Sequence, residues 1–506
     1  MLRWTKLILI VVSPLTLIGA AILVGLGRSN AAEEPTAKAV AAIPAIAISD
    51  KLIVHEWGTF TTFSGSNGVH LDFRPLLQNE LPGFVCDRAN PWGEMGVSLF
   101  SKGRIRTRVR METPVTYFYT DIERKVRASV EFPQGLLTEF YPPVVSMAPA
   151  FDSQKAFQEG GEPVGQGKLD WGEIDLIPTS KLLPAIDDQQ TAAWMGEHLA
   201  SSILPFAGGD HYAAARNTDS ALVHVRHKNA PKWGFGFLHA SGTTDLEHGE
   251  FIEKFLFYRG VGKFDVPVSV SNPAEDQFLV TNTGTDPLPR MIVLRVTGDQ
   301  RSYAFVPGVQ PGKSVDLPTA MQAVELDPLQ KLVVAELIQT GLYAKEAQAM
   351  VDTWSSSWFT EEGLRLFYLV PQKVTDEILP LTITPKPDEQ LRVMVGRVEI
   401  MPKSQEAELL QAVALSAQAR AEWQVQHAEL TAEGQAAHPM PPVPPVFVQL
   451  GRFAEPALSR IRTISPEDSV KNEIAMLLWQ LQAEAAQAEE QARTSARVEQ
   501  SRSLGN

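Results

Sequence analysis

The sequence predicts an α+β protein that is mainly β, with sandwich-like antiparallel sheets in the body followed by helices in the C-terminal part. Three observations support this fold class. Residues 102–143 alternate with the period of two that is typical of strands. Residues 264–318 contain short β-favouring runs separated by turns rich in Gly, Asn and Asp. Beyond residue 326 the apolar residues follow helical spacing, and the tail is rich in Ala, Gln and Glu.

The first of these stretches carries a cation at every second position, with mainly apolar or β-branched residues between the cations. Because successive side chains of a strand point to opposite faces, this pattern predicts a strand with one cationic face. Pro114 interrupts the strand, and residues 126–132 are predicted to pair back on it as the second arm of a hairpin. The cations of this face are Lys102, Arg104, Arg106, Arg108 and Arg110.

Composition limits the function classes. The chain has 506 residues, which is enough for several domains and a sizeable core. Its formal net charge of −14 argues against a nucleic-acid binder, since such proteins normally carry a basic surplus. The single cysteine, Cys86, excludes an internal disulfide and is expected to be a small buried apolar residue. The alternative for Cys86 is an intermolecular disulfide or a catalytic thiol.

The N-terminus has the pattern of a targeting segment. Arg3 and Lys6 precede an apolar run at 7–27, and small residues follow it. Residues 1–31 are therefore predicted to be either a cleaved signal peptide or a transmembrane signal anchor, because the run fits both. Both alternatives place the body outside the cytoplasm, in the periplasm or cell envelope. If the segment stays uncleaved, it is expected to anchor the protein in the membrane. An Ala- and Pro-rich linker is expected at 32–50.

Pattern and composition divide the rest of the chain into four segments. Asp327 and Pro328 predict a helix start and Gly341 a helix end, within a helical hairpin. In the tail, an apolar seam is expected to dock on the body or on the helix predicted at 404–437 rather than on a partner. The seam consists of Val470, Ile474, Leu477, Leu478 and Leu481. The segments are a β-rich domain with the arginine hairpin at 51–263, a small β-sandwich-like unit at 264–320, a helical hairpin with closing strands at 321–400, and a helical tail with a Pro-rich break at 401–506.

Known catalytic motifs are not matched. His55 and Glu56 begin like a zinc-protease helix, but Thr59 stands where the second histidine is required. Six histidines lie between residues 198 and 248, but without the tight spacing of zinc motifs. We therefore predict no metal site and no cofactor, and the sequence identifies no catalytic residue.

Three glutamates, Glu112, Glu131 and Glu139, lie in or beside the predicted hairpin, among its cations. A glycosidase needs two carboxylates about 5–10 Å apart across a cleft, and a pair of these glutamates is one candidate. The interpretation that we favour is that they neutralise arginines across strands, since such ion pairs need no cleft.

The cationic face has two interpretations. It is either a solvated or charge-paired strand face, or a site for a carboxylated, sulfated or phosphorylated polymer, because arginine binds such groups bidentately. Tyr117 and Tyr119 follow on the same stretch and could offer a stacking surface or fill the core. The candidate binding residues are Arg104, Arg106, Arg108, Arg110, Tyr117 and Tyr119.

Several strings of the chain are similar to those of a known group of proteins. The strings are VHEWGTFTTF, RMETPVTYFYT, FPQGLLTEFYPP, DTWSSSWFTEEGLRLFYLVP and LGRFAEPAL. They resemble a family of exported bacterial proteins of the planctomycete type, and the resemblance covers most of residues 52–460. It implies an extracytoplasmic setting, and no catalytic residue or cofactor is carried over from it.

Two functions from different classes follow. The leading hypothesis is a non-enzymatic cell-envelope protein that serves as a scaffold or binds an anionic polymer such as a polysaccharide, with no nucleic-acid partner. The alternative is an extracytoplasmic hydrolase that uses paired carboxylates or a histidine-bound metal.

Overall fold

The structure is a computed structural model that describes residues 50–73, 81–82, 85–88, 105–150, 164–179, 211–227, 250–432, 436 and 439–503. They belong to one compact unit, Ile48–Asn506. The predicted leader, nearly all of the predicted linker, and Lys102 and Arg104 of the predicted cationic face lie outside the described residues. Within the described ranges, no helix combines the length and apolar character needed to cross a membrane.

The described chain is α+β and mainly β, as the sequence predicts. Its strands in chain order are β1 (Ile53–Ser64), β2 (Cys86–Asp87), β3 (Val109–Tyr119), β4 (Arg124–Phe132), β5 (Gly135–Tyr141), β6 (Ser146–Ala148), β7 (Gly167–Ile177), β8 (Leu222–Arg226), β9 (Glu250–Glu253), β10 (Leu256–Gly262), β11 (Val268–Ala274), β12 (Gln277–Asn282), β13 (Met291–Thr297), β14 (Gln300–Val306), β15 (Ser314–Asp316), β16 (Gln322–Ala323), β17 (Gly363–Val370), β18 (Leu381–Thr384) and β19 (Glu389–Ile400).

Helices concentrate in the C-terminal part. They are α1 (His211–Ala214), α2 (Leu326–Gln339), α3 (Ala344–Phe359), α4 (Gln372–Ile378), α5 (Lys403–Ala432), α6 (Pro445–Gln449), α7 (Ala454–Ile464) and α8 (Asp468–Ser503), with a 3₁₀ turn at Gly451–Phe453.

The strands form three sheets. A ten-stranded sheet has the order β16-β14-β13-β17-β19-β1-β3-β10-β5-β2, and a smaller one has the order β18-β4-β7-β8-β9 with β6 paired to β7. The third sheet has the order β11-β12-β15. Most pairs are antiparallel, but β1 and β19 run parallel at the centre of the large sheet.

Strand β1 is buried along its whole length. Its sequence, IVHEWGTFTTFS, is rich in β-branched and aromatic residues, which pack well on a pleated surface. It also contains His55 and Glu56, which lie between apolar neighbours and have almost no exposed surface. Buried polar groups need hydrogen-bond partners, so the fold must supply them to the middle of this strand.

The predicted arginine hairpin is not formed. β3 pairs with β1 and β10 in the large sheet, whereas β4 pairs with β7 and β18 in another sheet. Burial explains the separation, because β3 is buried at every position while β4 alternates between buried and exposed residues. A strand that is buried on both faces lies in the interior of the protein. A strand that alternates between buried and exposed residues packs one face on the interior and presents the other face to solvent. Residues 120–123 connect the two sheets.

The segment predicted as a small β-sandwich-like unit is divided between two sheets. β13 and β14 extend the ten-stranded sheet, and β11, β12 and β15 form the three-stranded one. The predicted closing strands, β17 and β19, lie in the middle of the large sheet rather than at its edge. Local composition predicts that these segments are strands, but their neighbours come from distant parts of the chain.

The predicted helical hairpin is formed by α2 and α3. Both helices contribute buried residues to the large hydrophobic core that they share with the sheets. The tail helices surround a second core together with Phe63 and Met401 of the body. In the predicted seam, Val470, Ile474 and Leu477 are buried, and Leu478 and Leu481 pack partly against the same core. The seam therefore docks within the chain, and Arg420 of α5 reaches Glu473 of α8 at 2.5 Å.

Candidate functional site

The arginines of the predicted cationic face differ in burial. The side chains of Arg106 and Arg108 are 51% and 32% exposed, whereas that of Arg110 is 3% exposed. Arg110 lies in β3, but residues 105–108 precede the strand and make a single bridge at Thr107. The strand therefore does not align these arginines on one open face.

Each described arginine of this group is paired with an acid. The pairs are Arg106 Nη2 with Glu455 Oε1 at 3.0 Å, Arg108 Nη1 with Asp265 Oδ1 at 2.5 Å, and Arg110 Nε with Glu112 Oε1 at 3.1 Å. The geometry matches the charge-paired interpretation of the sequence pattern. Arg104 lies outside the described residues.

Tyr117 and Tyr119 fill the core. Tyr117 donates to the carbonyl of Ala215 at 2.7 Å, and Tyr119 donates to Glu346 Oε1 at 2.7 Å. Burial and the nearby Glu346 carboxylate raise the pKa of both hydroxyls well above its ordinary value. Neither ring is accessible for stacking on a polymer, because both side chains are almost fully buried.

The three candidate glutamates are also paired with cations. Glu131 contacts Lys168 at 2.9 Å and Glu139 contacts Arg259 at 3.1 Å, each directly across neighbouring strands. Glu112 pairs with Arg110 of its own strand. This arrangement agrees with charge neutralisation, the interpretation favoured from the sequence.

A solvent-open cleft of about 480 Å³ lies where β4, β7 and β8 are neighbours. Lys125 of β4 stands opposite Asp175 of β7, which stands opposite His224 of β8, so the register places these three residues in one row. Arg124 and Arg226 complete the cationic part of the lining. We call this site the β4–β8 cleft.

The cleft has three permanent cations around a central acid. Lys125 and Arg226 are 63% and 54% exposed, and both reach Asp175, at 3.2 and 2.7 Å. Glu123 is the second acid of the lining, and His224 Nδ1 lies 3.2 Å from Arg226 Nη2. Among the lining residues, three permanent cations stand against two acids, and a further acid beside the lining, Glu173, contacts Lys125.

A second polar site lies inside the protein, where β1 meets α3. His55 Nδ1 is 2.9 Å from Glu346 Oε2, and the backbone N–H of Tyr343 donates to the same oxygen at 2.7 Å. The ring of Tyr343 packs on the imidazole with centroids 4.6 Å apart. His55 is almost completely buried, so this pair joins the helical hairpin to the sheet and has no access for a substrate.

A third polar site, which we call the arginine cluster, covers one end of the central strands. It consists of Arg110, Arg365, Arg397, Arg452, Glu112, Glu361 and Glu399. Arg365 and Arg397 share Glu399 Oε1, at 2.9 and 2.5 Å. Arg452, from the 3₁₀ turn between α6 and α7, contacts Glu112 Oε1 at 2.6 Å. The cluster therefore links the body to the tail.

The charges of the cluster perturb each other strongly. Burial alone raises the pKa of Glu112, but Arg452, Arg110 and Arg397 outweigh it and lower that pKa to about 2. Burial, together with the like charges of Arg397 and Arg452, lowers the pKa of Arg365 to about 10, although Glu399 acts in the opposite direction.

Sequence reasoning missed the cleft and the interior sites. In the part of the chain that the structure describes, no three His, Cys, Asp or Glu side chains come together as a metal site. The cleft is assembled by strand register, which local patterns do not contain. The only available signal for the interior sites was the presence of His55 and Glu56 inside an otherwise apolar β-run.

Comparisons with known proteins add little. No family model matches the chain, and no curated protein matches it. Among solved structures it is similar to the mu-homology domain of Danio rerio Fcho1 with a bound peptide, at 7% identity and a TM-score of 0.22, covering 70% of this chain and 96% of that one. It is similar to the yeast delta-COP-I mu-homology domain at the same identity and TM-score, covering 71% of this chain and 98% of that one. A likeness at this TM-score carries no argument about fold or function.

Proposed function

We propose that the protein is a non-enzymatic, exported cell-envelope protein that binds a segment of an anionic polysaccharide in the β4–β8 cleft. The observation that carries this proposal is the grouping of Arg124, Lys125 and Arg226 around an open cleft of about 480 Å³. Pockets of a few hundred cubic ångströms are the usual size for small organic ligands, which suits a short segment of a polymer.

The ion pairs within the cleft do not prevent binding. Lys125 and Arg226 share Asp175, Lys125 also contacts Glu173, and both cations are more than half exposed. Ion pairs between exposed side chains contribute about 0–1 kcal/mol, so an incoming carboxylate or sulfate can compete with Asp175. Arginine binds such groups through two parallel hydrogen bonds, which favours Arg226 as the main contact.

Charge distribution gives the cleft selectivity. The chain carries a formal net charge of −14, so the protein as a whole repels an anionic polymer at long range. A local group of cations on such a body directs the polymer to one place. Arg106 and Arg108 do not line this cleft, and Arg110 is buried, so these three arginines are less suited to the role.

The export part of the proposal rests on the sequence. Arg3, Lys6 and the apolar run at 7–27 support it, as does the resemblance to exported bacterial proteins. Fractionation of cells that produce the full chain tests it, with recovery in the periplasmic or membrane fraction as the expected result. Recovery in the cytoplasmic fraction would contradict it.

A salt gradient on immobilised heparin, a sulfated and carboxylated polysaccharide, tests the binding site. The double variant Lys125→Ser with Arg226→Ser is expected to elute at clearly lower salt than the unmodified protein. The matched control is Arg106→Ser with Arg108→Ser, which removes the same number of exposed cations elsewhere. The control is expected to elute like the unmodified protein.

The two double variants distinguish a site from a general charge effect. Equal losses in both variants would mean that net charge alone governs retention, and the proposal would be wrong. Unchanged elution of the cleft variant, or a loss confined to the control, would exclude the β4–β8 cleft as the site.

A further inference from the structure

The Pro-rich break between α5 and α6 has an extended backbone. Proline fixes φ, and a residue that precedes proline is restricted to extended conformations. Residues 439–445 read PMPPVPP, and residues 439–444 form neither helix nor strand. Pro444 has φ −58° and ψ 137°, close to the polyproline II values of about −75° and +145°. Composition and geometry thus indicate a short polyproline II helix, which we call the proline ridge (residues 439–445).

Exposure in the proline ridge repeats at every third residue. Pro439, Pro442 and Pro445 are exposed, whereas Met440 is half-buried and Val443 is 5% exposed. A polyproline II helix has three residues per turn, so residues spaced by three lie along one edge of it. The ridge therefore presents a row of three prolines to solvent and turns Val443 toward the protein.

The tail holds the proline ridge in place from its buried side. Val443 belongs to the hydrophobic core of the tail. Nε2 of Gln480 in α8 donates to the carbonyl of Pro441 at 2.8 Å, and Oε1 of the same side chain accepts from Nη2 of Arg420 in α5 at 2.6 Å. The ridge is thus ordered before any partner binds, which lowers the entropic cost of recognition.

The surface of the ridge is apolar and uncharged. Residues 439–450 contain no ionisable side chain, although charged residues make up 21% of the whole chain. Val448, just beyond the ridge, is 56% exposed and adds to the apolar surface. Pro-rich segments in the polyproline II conformation bind in grooves lined by aromatic side chains, as in SH3, WW and EVH1 domains. The exposed edge of the ridge has the shape and the chemistry that such a groove recognises.

The described part of the chain does not itself offer a groove of this kind. Within it, Trp479 is the only Phe, Trp or Tyr whose side chain is exposed, at 57%. None of the residues that line the β4–β8 cleft is Phe, Trp or Tyr. These observations favour a different protein over a second copy of this chain as the occupant of the ridge.

We propose that the proline ridge is a docking site for another protein, one that carries a groove lined by aromatic side chains and recognises the polyproline II conformation. The rings of Pro439, Pro442 and Pro445 enter the groove, while Val443 and Gln480 keep the ridge in the conformation that the groove accepts. This docking site is independent of the polysaccharide proposed for the β4–β8 cleft, because it concerns other residues and another class of ligand.

Titration of the full-length protein into isolated recognition domains tests the proposal. A panel of isotopically labelled SH3, WW and EVH1 domains serves as the probe, and NMR shifts of their groove residues report binding. We expect at least one domain to bind the full-length protein more tightly than a free peptide of residues 439–450, because the protein has already ordered the ridge. Absence of binding by every domain would overturn the proposal. Binding of the peptide that is at least as tight as that of the protein would also overturn it.

Substitution of single prolines locates the site on the protein. Pro442→Ala removes the central ring of the exposed edge and is expected to weaken binding on the order of tenfold, with unchanged retention on heparin. Pro439→Ala is expected to weaken binding as well, which keeps the test valid if Pro442→Ala disturbs the fold. The matched control is Pro311→Ala, at an exposed proline between β14 and β15, and it is expected to bind like the unmodified protein.

Two results of these variants would overturn the proposal. One is equal binding by the unmodified protein, Pro439→Ala and Pro442→Ala, which would exclude the exposed edge as the contact. The other is a dimer of the unmodified protein in sedimentation experiments that Pro442→Ala abolishes, which would mean that a second copy of the chain covers the ridge.

Discussion

Glu56 and Arg392 are direct neighbours in the parallel register of β1 and β19, and Glu56 Oε2 lies 2.6 Å from Arg392 Nη2 with both side chains fully buried. Thr116 and Tyr258 donate to the other oxygen of Glu56, and Asp376 pairs with Arg392 at 2.9 Å. Removing two charges from water costs several kcal/mol per ion, so such a pair persists only when its remaining groups are also satisfied. Loss of either member leaves the other as a buried charge without its nearest partner.

Replacing Glu56 by Leu is expected to lower the free energy of unfolding by about 3–5 kcal/mol, because Arg392 stays buried. The double change Glu56→Leu with Arg392→Met is expected to cost less than the sum of the single changes. Urea unfolding followed by Trp fluorescence measures all three variants. Lys168→Ala, in the exposed pair with Glu131, is the control and is expected to cost at most about 1 kcal/mol. Strictly additive effects would contradict the expected coupling.

Tyr119→Phe is expected to destabilise the protein without affecting retention on heparin. The change removes the donor to Glu346 Oε1 inside the core, and an unsatisfied buried acceptor costs about 1–3 kcal/mol. Tyr303→Phe is a suitable control, since its hydroxyl makes only a long contact of 3.4 Å with Gln322. Urea unfolding and heparin chromatography provide the two measurements. Weaker retention of the variant on heparin with unchanged stability would instead place Tyr119 in a binding surface, which is one of the two alternatives that the sequence leaves open.

Glu112 is expected to make stability depend on pH in the acidic range. The arginines around it hold its folded-state pKa at about 2, below the ordinary value of 4.5. The carboxylate therefore contributes stability that is fully present above pH 4.5 and is lost as the pH falls toward 2, by about 3 kcal/mol in total. Glu112→Gln is expected to flatten this part of the curve, measured by urea unfolding at a series of pH values. An unchanged slope in the variant would contradict the assignment.

Local patterns were sufficient to predict the elements but not their partners. The β-branched and aromatic runs of β1 and β3, and the helical spacing in α2 and α3, are local properties of the sequence. The pairing of β1 with β19 joins residues more than 300 positions apart, and no local pattern encodes it. The predicted hairpin was wrong for this reason, since sequence proximity suggested a pairing that burial does not allow.

The candidate site was harder to predict than the fold. Period-two spacing assigns side chains to one face of a strand, but it does not tell whether that face is exposed to solvent. Arg110 lies in a strand that is buried on both faces. Lys125, Asp175 and His224 form a row only because three strands have a particular register. The sequence of β4 alternates between polar and apolar residues, and this alternation predicts which face of β4 points to solvent and lines the cleft. The other two walls are set by tertiary structure.

The attachment of α8 to α5 depends on one buried carboxylate. Glu473 accepts from Ser416 at 2.7 Å and from both Nε and Nη2 of Arg420, at 2.5 and 2.8 Å. Glu473→Ala is therefore expected to leave Arg420 buried without its carboxylate and to cost about 3–5 kcal/mol of the free energy that holds the helices together. Lys471→Ala, two residues away and with a side chain 37% exposed, is the control.

Hydrogen exchange of the full chain measures this effect by region. Amides of α8 near Val470, Ile474 and Leu477 are expected to exchange faster in Glu473→Ala, because local opening becomes less costly there. Amides near Trp57 in β1 and near Val395 in β19 are expected to keep their protection, since these residues belong to the core of the sheets and not to the core of the tail. Faster exchange throughout the body would mean that the tail and the sheets unfold as one cooperative unit, with the arginine cluster as the connection that couples them.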